Sequence, residues 1–269
     1  MAVDRTVDRI GSALYRAVLA AVYGFLILPI LIVFVMALGP SRHLEFPPSG
    51  ITLKWYGAAL AQFAEYVQPL LFSLRIAVVA GLLATVLGTM AAYALVRHRP
   101  RFLSTLQGAF SAPLTVPQIV IGLALLIFFY QLGLPRGEPA LIVGHTVIGV
   151  PFVIIFVSIS LNEFDRRLEA SARDLGADRY QTFRYVTLPL IKAGVFAGGV
   201  FAFIVSYNNV PVSLFLIRPG GGTTLPMRIF QNLEYGFTPD LAAIAVIQML
   251  VVFAVIGLVN LVTDVTEIF

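Results

Sequence analysis

The chain has 269 residues, of which 59% are hydrophobic and 12% are charged, and its formal net charge is +4. Soluble domains carry about a quarter charged residues, so this composition excludes a single water-exposed globule and indicates a lipid environment. Cysteine is absent, which excludes a disulfide framework and a thiolate metal site. Basic and aromatic residues are not interleaved, so a nucleic-acid partner is not expected.

The sequence contains a series of apolar runs that are long enough to cross a bilayer. The first, residues 13–38, is longer than a signal-peptide core and is expected to be an uncleaved helix with a kink at Pro29. Residues 39–68 are expected to form a loop in which Trp55 and Tyr56 lie at the membrane interface. The fold class is therefore all-α, a polytopic membrane protein with six spans. The other five predicted spans are residues 69–96, 106–131, 139–161, 186–208 and 241–262.

Arg75 and His145 are ionisable side chains inside these runs. Arg75 lies near one end of the second span, where two interpretations fit: a side chain that snorkels to the interface, or one with a buried carboxylate partner. His145 is expected to be a hydrogen-bonded packing residue, because the three histidines show no metal-ligand spacing.

Basic residues are distributed unequally between the two sides that these spans create. With the N-terminus inside, the cytoplasmic segments hold eleven arginines, whereas the opposite side holds five basic residues. The positive-inside rule therefore predicts a cytoplasmic N-terminus. It also places the 163–185 loop, which contains the longest charge-rich stretch of the chain, in the cytoplasm.

The 163–185 loop carries signals for two short helices. Asp165 can cap the first helix by accepting backbone N–H groups, and Gly176 suits the left-handed residue that ends it. Asp178 and Gln181 have the spacing of a capping box for the second helix. Pro189 then fits near the start of the next span, because it has no N–H to donate.

Polar residues occur at two predicted helix breaks at membrane depth. A polar run ends shortly before Pro211, and Pro117 has polar neighbours on both sides. Such groups usually line a cavity or a path, although they can also serve only to join helices by hydrogen bonds. The residues predicted to line a substrate path are Thr115, Gln118, Ser206, Tyr207, Asn208 and Asn209.

Motifs for catalysis are missing from the sequence. Neither Lys54 nor Lys192, the two lysines, follows a glycine, so there is no phosphate-binding loop of the Gly-Lys-Ser/Thr kind. No Gly-x-Ser-x-Gly or His-Glu-x-x-His motif is present either. The chain is therefore predicted to be no enzyme and to hold no metal or other cofactor.

The 163–185 loop and the residues after it resemble the signature of inner-membrane permease subunits of binding-protein-dependent ABC importers. That signature is Glu-Ala-Ala, three residues, Gly, nine residues and Ile-x-Leu-Pro. Gly176 and the Val-Thr-Leu-Pro sequence ending at Pro189 match it in type and spacing. The Glu-Ala-Ala position falls on residues 170–172, which are Ala-Ser-Ala, with Glu169 one position earlier.

This resemblance covers the whole chain and implies one permease domain over residues 1–269, with the type I ABC importer fold, in the bacterial inner membrane. It implies that the 163–185 loop docks on a separate ATPase subunit, which would bind ATP and Mg²⁺. The other implied partners are a second permease subunit of different sequence, a second ATPase subunit and a substrate-binding protein. The residues implied to couple to the ATPase are Glu169, Ala170, Ser171, Ala172, Leu175 and Gly176.

Within this family, the runs at residues 172–177, 206–216 and 224–228 resemble spermidine/putrescine-type permeases. Those permeases often carry acids where this chain has Asn208 and Asn209, and amides offer only neutral donors and acceptors. The resemblance thus implies import of a small organic amine, either a polyamine or a related amino-acid-derived compound.

Two alternatives from other classes remain at this stage. An ATP-independent secondary transporter would need intramembrane acids for ion coupling, and the predicted spans have almost none. A membrane scaffold that transports nothing would not need polar breaks in two helices.

Overall fold

The computed structural model describes residues 2–42, 45–98, 102–234 and 238–250, and all regular structure in these ranges is helical. The chain divides into two units, one of Met1–Ala64 with Gln231–Phe269 and one of Glu65–Phe230. The helices are α1 Ala2–Met36, α2 Lys54–Ala61, α3 Phe63–His98, α4 Leu103–Thr115, α5 Gln118–Gln131, α6 Glu138–Glu163, α7 Arg167–Asp174, α8 Arg179–Thr182, a π-helical turn Phe183–Thr187, α9 Leu188–Leu190, α10 Lys192–Tyr207, α11 Pro211–Leu216, α12 Leu225–Glu234 and α13 Pro239–Leu250.

Three of these helices, α1, α3 and α6, are long and apolar enough to cross a membrane alone. Two further spans result if each of two sharply bent helix pairs counts as one. The sixth predicted span, residues 241–262, is described only as far as the end of α13, and its remainder lies outside the described residues. The described helices therefore account for up to five of the six predicted spans, together with the first part of the last.

The predicted third span is interrupted at the helix break that the sequence predicts near Pro117, and its two halves are sharply bent against each other. Helices α4 and α5 meet at an angle of 110°. Val116 between them is extended, with φ −82° and ψ 132°, because a residue before proline is disfavoured in the helical region. Pro117 then begins the second half, so this stretch is a broken span or a re-entrant loop.

The predicted fifth span is bent as well, by 73° at Ile191 between Arg179–Leu190 and α10. The π-helical turn ends at Thr187, two residues before Pro189. Proline removes one backbone donor from the helical ladder, and a local change of hydrogen-bond pattern is a common accommodation of such a loss. The sequence predicted where the chain re-enters the helix but not this bend.

The first unit contains a helix with little contact to the rest of its unit. No residue is buried in the most apolar stretch of Leu14–Met36, and Phe25 there is 75% exposed. Where the sequence predicted only a loop, the short helix α2 forms. The indole Nε1 of Trp55 in this helix donates to the carbonyl of Gly39 at 2.7 Å, which ties α2 to the end of α1.

The second unit packs α6 closely against α10. A Cβ at Gly198 would lie 2.8 Å from the Cα of Val153, so the space between the two backbones admits only glycine. Small residues allow such close approach of helices in lipid. Its core contains, among the described residues, two clusters of buried apolar side chains, one around Leu216 and the other around Val157. This unit contains every residue predicted to function in transport or coupling.

Arg75 has a carboxylate partner, but the pair is not buried. Its guanidinium forms an ion pair with Glu138, the first residue of α6, and the two side chains are 58% and 35% exposed. The prediction of a carboxylate partner for Arg75 is therefore confirmed, but the prediction that this partner is buried is wrong. The other interpretation, a side chain that snorkels to the interface, agrees with the exposure of Arg75 but did not include a partner.

Candidate functional site

The 163–185 loop folds as its local signals predict. The Asp165 carboxylate accepts a hydrogen bond from the backbone N–H of Arg167 at 2.9 Å, at the start of α7. Gly176 has φ +93°, a backbone conformation that residues with a Cβ atom rarely adopt. Asp178 and Gln181 exchange both bonds of a capping box, at 2.7 and 3.0 Å. The predicted helix, turn and helix are confirmed.

The end of α7 presents a large apolar side chain to its surroundings. Leu175 is 90% exposed, although burying a leucine is worth about 1.5–3 kcal/mol. Ala170 and Ser171 are exposed on the same helix, Ala172 is half-buried, and Gly176 is exposed. Five of the six predicted coupling residues, with Leu175 as the most exposed, thus lie at or near the surface.

Glu169, the sixth predicted coupling residue, faces the interior instead. Its carboxylate forms an ion pair with Arg97, with Nε and Oε2 3.0 Å apart, and both side chains are more than nine-tenths buried. Thr187 Oγ1 donates to Oε1 of the same carboxylate at 2.8 Å. The Arg97 guanidinium also lies over the ring of Phe164, 4.7 Å from its centre. One carboxylate therefore joins α7 to the end of α3 and to the π-helical turn.

This burial limits what Glu169 can do in coupling. A carboxylate that is covered and paired inside the chain does not offer its oxygens to another protein. Its predicted role in coupling stays a prediction, and the geometry restricts that role to holding α7 in position. The exposed part of the loop is the surface that a partner can reach.

The two predicted helix breaks lie against each other. Asn209 Nδ2 donates to Gln118 Oε1 at 2.7 Å, which connects the break before α11 to the first residue of α5. Asn209 Oδ1 accepts from the backbone N–H of Val212 at 2.9 Å, so the same side chain caps α11. Asn209 is only 3% exposed. Two of the predicted path residues are thus brought together and hold both breaks in place.

His145 on α6 extends this contact into a buried series of hydrogen bonds. Its Nδ1 lies 2.8 Å from Ser206 Oγ, and its Nε2 lies 3.0 Å from Ser213 Oγ. Ser213 donates its single hydroxyl proton to the carbonyl of Asn209, so it accepts from Nε2–H, and Nδ1 accepts from Ser206. The prediction that His145 is a hydrogen-bonded packing residue is confirmed. We call Gln118, His145, Ser206, Asn209 and Ser213 the helix-break network.

The remaining predicted path residues lie outside this network. Thr115 and Asn208 are exposed, and each donates a hydrogen bond of 3.1 Å to a backbone carbonyl of its own helix. Tyr207 is half-buried and stacks on Phe203 with ring centres 6.1 Å apart. The six path residues therefore separate into three that bond across helices and three at or near the surface.

Sequence reasoning missed the structural roles of Arg97 and Ser213. The sequence identified Arg97 only as one of several arginines on the predicted cytoplasmic side. Its partner Glu169 is 72 residues away, and no local pattern connects the two. Ser213 had a weak signal, since it lies four residues after Asn209, where a hydroxyl can reach a carbonyl of the same helix.

The sequence was also compared with known families. The model of the family described as "binding-protein-dependent transport system inner membrane component" matches residues 84–265. The chain belongs to this family. It is therefore the permease subunit of an ABC importer in the inner membrane, and separate subunits carry the ATPase activity. Systems of this kind also include a partner permease and a substrate-binding protein. The alternative of an ATP-independent secondary transporter is not favoured.

Relatives of this permease include spermidine/putrescine transport system permease protein PotC of Escherichia coli K12, 33% identical over 89% of this chain and 90% of PotC. Putrescine transport system permease protein PotI of the same strain is 34% identical over 83% of this chain and 81% of PotI. A putative 2-aminoethylphosphonate permease, PhnV of Salmonella typhimurium LT2, is 30% identical over 89% of both chains. The family resemblance read from the 163–185 loop is confirmed.

The fold of the permease also occurs among solved structures. A chain of a bacterial ABC transporter involved in import of the acidic polysaccharide alginate superposes with a TM-score of 0.70. The match covers 94% of this chain and 96% of that chain at 18% identity. At this identity the likeness shows the fold alone, and it agrees with the predicted ABC importer permease fold.

Proposed function

We propose that this permease subunit carries a small organic amine into the cytoplasm, either a polyamine or a related amino-acid-derived compound. The relatives support this class, because spermidine, putrescine and 2-aminoethylphosphonate each contain a primary amine. They differ in net charge, since the polyamines are polycations and the phosphonate also carries an anionic group. The shared ammonium group is the part of the substrate that we assign to the path.

The polar groups at the helix breaks fit an ammonium group of low total charge. Amide oxygens accept hydrogen bonds from an ammonium without adding a full negative charge. Among the path residues, Asn208 and Thr115 present exposed oxygens, whereas Asn209 and Gln118 are bonded to each other. We assign the substrate contact to Asn208 and Thr115, with Tyr207 beside them, and the shaping of the breaks to Gln118, Ser206 and Asn209.

Coupling to ATP hydrolysis is assigned to the exposed face of the 163–185 loop. The observation that carries this assignment is Leu175, which is 90% exposed at the end of α7, one residue before a glycine with positive φ. An apolar side chain at the centre of a small-residue surface suits insertion into a cleft of a partner. The proposed assembly contains two ATPase subunits, this permease, a second permease of different sequence and a substrate-binding protein. ATP-driven closure of the ATPases would move α7 and open the path to each side in turn.

The orientation proposed for this assembly has the N-terminus in the cytoplasm. Its support is the excess of arginines on that side of the predicted spans. In this orientation, the 163–185 loop faces the compartment that contains ATP.

Docking is tested by co-purification of the ATPase with the tagged permease in detergent. Leu175→Asp should abolish retention of the ATPase, because it places a charge at the centre of the contact without disturbing the packing of the chain. Leu53→Asp is the matched control, since Leu53 is 68% exposed in the loop before α2. Equal retention by both variants would reject the docking surface.

The substrate class is tested with the complex in liposomes, together with its binding protein. Putrescine, spermidine and 2-aminoethylphosphonate are compared for stimulation of ATP hydrolysis and for uptake. Stimulation by at least one of these amines is expected, with a slower rate in Asn208→Ala. If none of them acts while the ATPase remains bound, the substrate assignment fails and the docking assignment stands.

A further inference from the structure

A cavity of about 280 Å³ lies between the end of α3 and the helices α7 and α8. Four guanidinium groups and one carboxylate line it, so positive charge is in clear excess. The charged residues of the lining are Arg97, Arg166, Arg173, Arg179 and Glu169, and His98 lies beside them.

Arg97 is the buried member of this lining. Its Nε is bonded to Glu169, but its two terminal nitrogens are buried without a hydrogen-bond partner among the described residues. A guanidinium group has five N–H donors in a fixed plane, and buried donors without partners are costly. The carboxylate of Glu169 therefore satisfies only part of one of the four arginines.

Two other arginines of the cavity are held in place by backbone carbonyls. A terminal nitrogen of Arg166 donates to the carbonyl of Val96 at 2.7 Å, and Nε of Arg173 donates to the carbonyl of Glu169 at 3.1 Å. These bonds fix both side chains but add no negative charge. Arg179 is exposed, and its side chain makes no hydrogen bond or ion pair within the described residues.

We propose that this cavity binds a phosphate-type anion, and that its source is the headgroup of an anionic phospholipid. A phosphate offers several oxygens to guanidinium groups at once, which suits a lining of four arginines better than a single carboxylate does. The cavity lies at the last turn of the spanning helix α3, where a helix leaves the hydrocarbon and meets lipid headgroups. Basic pockets at the cytoplasmic ends of membrane helices bind anionic headgroups in this way. The assignment to the cytoplasmic leaflet depends on the orientation proposed above.

A lipid at this position would connect the membrane to the residues that hold α7, the helix that carries the proposed coupling surface. Arg97 and Glu169 hold α7, Arg166 directly precedes it and Arg173 lies in its last turn, so the anion would stabilise the arrangement from which Leu175 projects. We therefore expect anionic lipid to raise the thermal stability of the complex, and to do so through the arginines of this cavity.

The test uses the assembled transporter in nanodiscs of phosphatidylcholine with increasing fractions of phosphatidylglycerol. Retained phosphatidylglycerol is counted by native mass spectrometry, and the unfolding midpoint is recorded for each composition. Arg179→Gln, and Arg179→Gln combined with Arg166→Gln, remove cations from the cavity. Arg184→Gln is the matched control, because Arg184 is an exposed arginine of the same loop region that does not line the cavity.

We expect retention of phosphatidylglycerol by the wild type and the control, and about tenfold weaker retention by the double variant. A second arm adds inorganic phosphate to discs of phosphatidylcholine alone. A rise in the midpoint with phosphate that disappears in the double variant would assign the site to a free anion. Equal lipid retention by wild type and double variant, without a phosphate effect, would overturn the proposal.

One further result would also overturn it. If Arg179→Gln releases the ATPase while lipid retention stays unchanged, the cavity receives an acidic side chain of that subunit instead. Because lipid retention is measured separately from amine uptake, failure of the lipid site leaves the proposed transport function untouched.

Discussion

The helix-break network and the 163–185 loop are both polar regions of a mainly apolar chain, but they differ in what they leave uncovered. In the network, Asn209 donates a hydrogen bond to Gln118, and His145 uses both ring nitrogens. In the loop, Glu169 is paired with Arg97, but the two terminal nitrogens of Arg97 have no hydrogen-bond partner among the described residues, and Leu175 projects outward. The network joins helices within one chain, whereas the loop has an exposed surface that we assign to a partner.

This difference separates the buried polar residues, which hold helices together, from the exposed residues that we assign to transport and coupling. Polar residues at membrane depth are commonly interpreted as a transport path, yet the buried ones here join helices. The buried acid of the loop likewise joins α7 to the end of α3 and to the π-helical turn. In both regions, the residues best placed for function are the exposed neighbours of the buried ones, which are Asn208 beside Asn209 and Leu175 at the end of the helix that Glu169 holds.

The largest expected effect on stability comes from breaking the ion pair between Arg97 and Glu169, which holds α7 against the end of α3. Arg97→Ala leaves the Glu169 carboxylate buried without a cation, and removing one partner of such a pair costs about 3–5 kcal/mol of unfolding free energy. We expect a large fall of the unfolding midpoint in detergent, measured by thermal denaturation. Combining Arg97→Ala with Glu169→Gln removes the orphaned charge and should restore part of the stability. A double variant as unstable as the single one would show that the ion pair is not the cause.

The next effect distinguishes the two asparagines of the second break. Asn209→Ala removes the bond to Gln118 and the cap of α11, which together are worth about 1–2 kcal/mol. Asn208→Ala should change the unfolding free energy by less than about 0.5 kcal/mol, as at most surface sites. Its effect should appear in the rate of amine uptake. Equal losses of stability, or normal uptake by Asn208→Ala, would remove the distinction between the buried and exposed residues.

A smaller effect on stability than that of Asn209→Ala is expected from breaking a single hydrogen bond inside the network. Ser206→Ala removes the hydrogen bond to His145 Nδ1, and single interhelical hydrogen bonds in membrane proteins average about 0.6 kcal/mol. Ser160→Ala is a control, because it removes a hydroxyl from α6 outside the network. Thermal denaturation of the two variants should differ by this small amount. A loss of several kcal/mol in Ser206→Ala would mean that the network acts as one cooperative unit.

Local features of the molecule were predictable from the sequence. Asp165, Gly176 and the Asp178 capping box depend on residues within a few positions of one another, so their spacing alone predicts the helix, turn and helix. The break at Pro117 was visible for the same reason. Its angle of 110° was not, because proline prevents a regular helix without fixing the direction of the next one.

Pairings between distant residues were not predictable. The sequence indicated Gln118 and Asn209 as path candidates, but 91 residues separate them, and nothing local shows that they bond to each other. Glu169 was placed at the coupling surface because it is the acid nearest to the position of the glutamate in the permease signature. Its burial depends on Arg97 and Thr187, which approach it only in the folded chain.

The most direct test of the central claim is the accessibility of position 175. Because the natural chain has no cysteine, Leu175→Cys introduces a single thiol, and Leu53→Cys serves as the control. Labelling uses a membrane-impermeant maleimide on oriented membrane vesicles. Leu175→Cys should react in inside-out vesicles stripped of the ATPase and become protected when the ATPase is added back, whereas Leu53→Cys should react only from the opposite side. Labelling of Leu175→Cys from the outside, or equal labelling with and without the ATPase, would contradict the account.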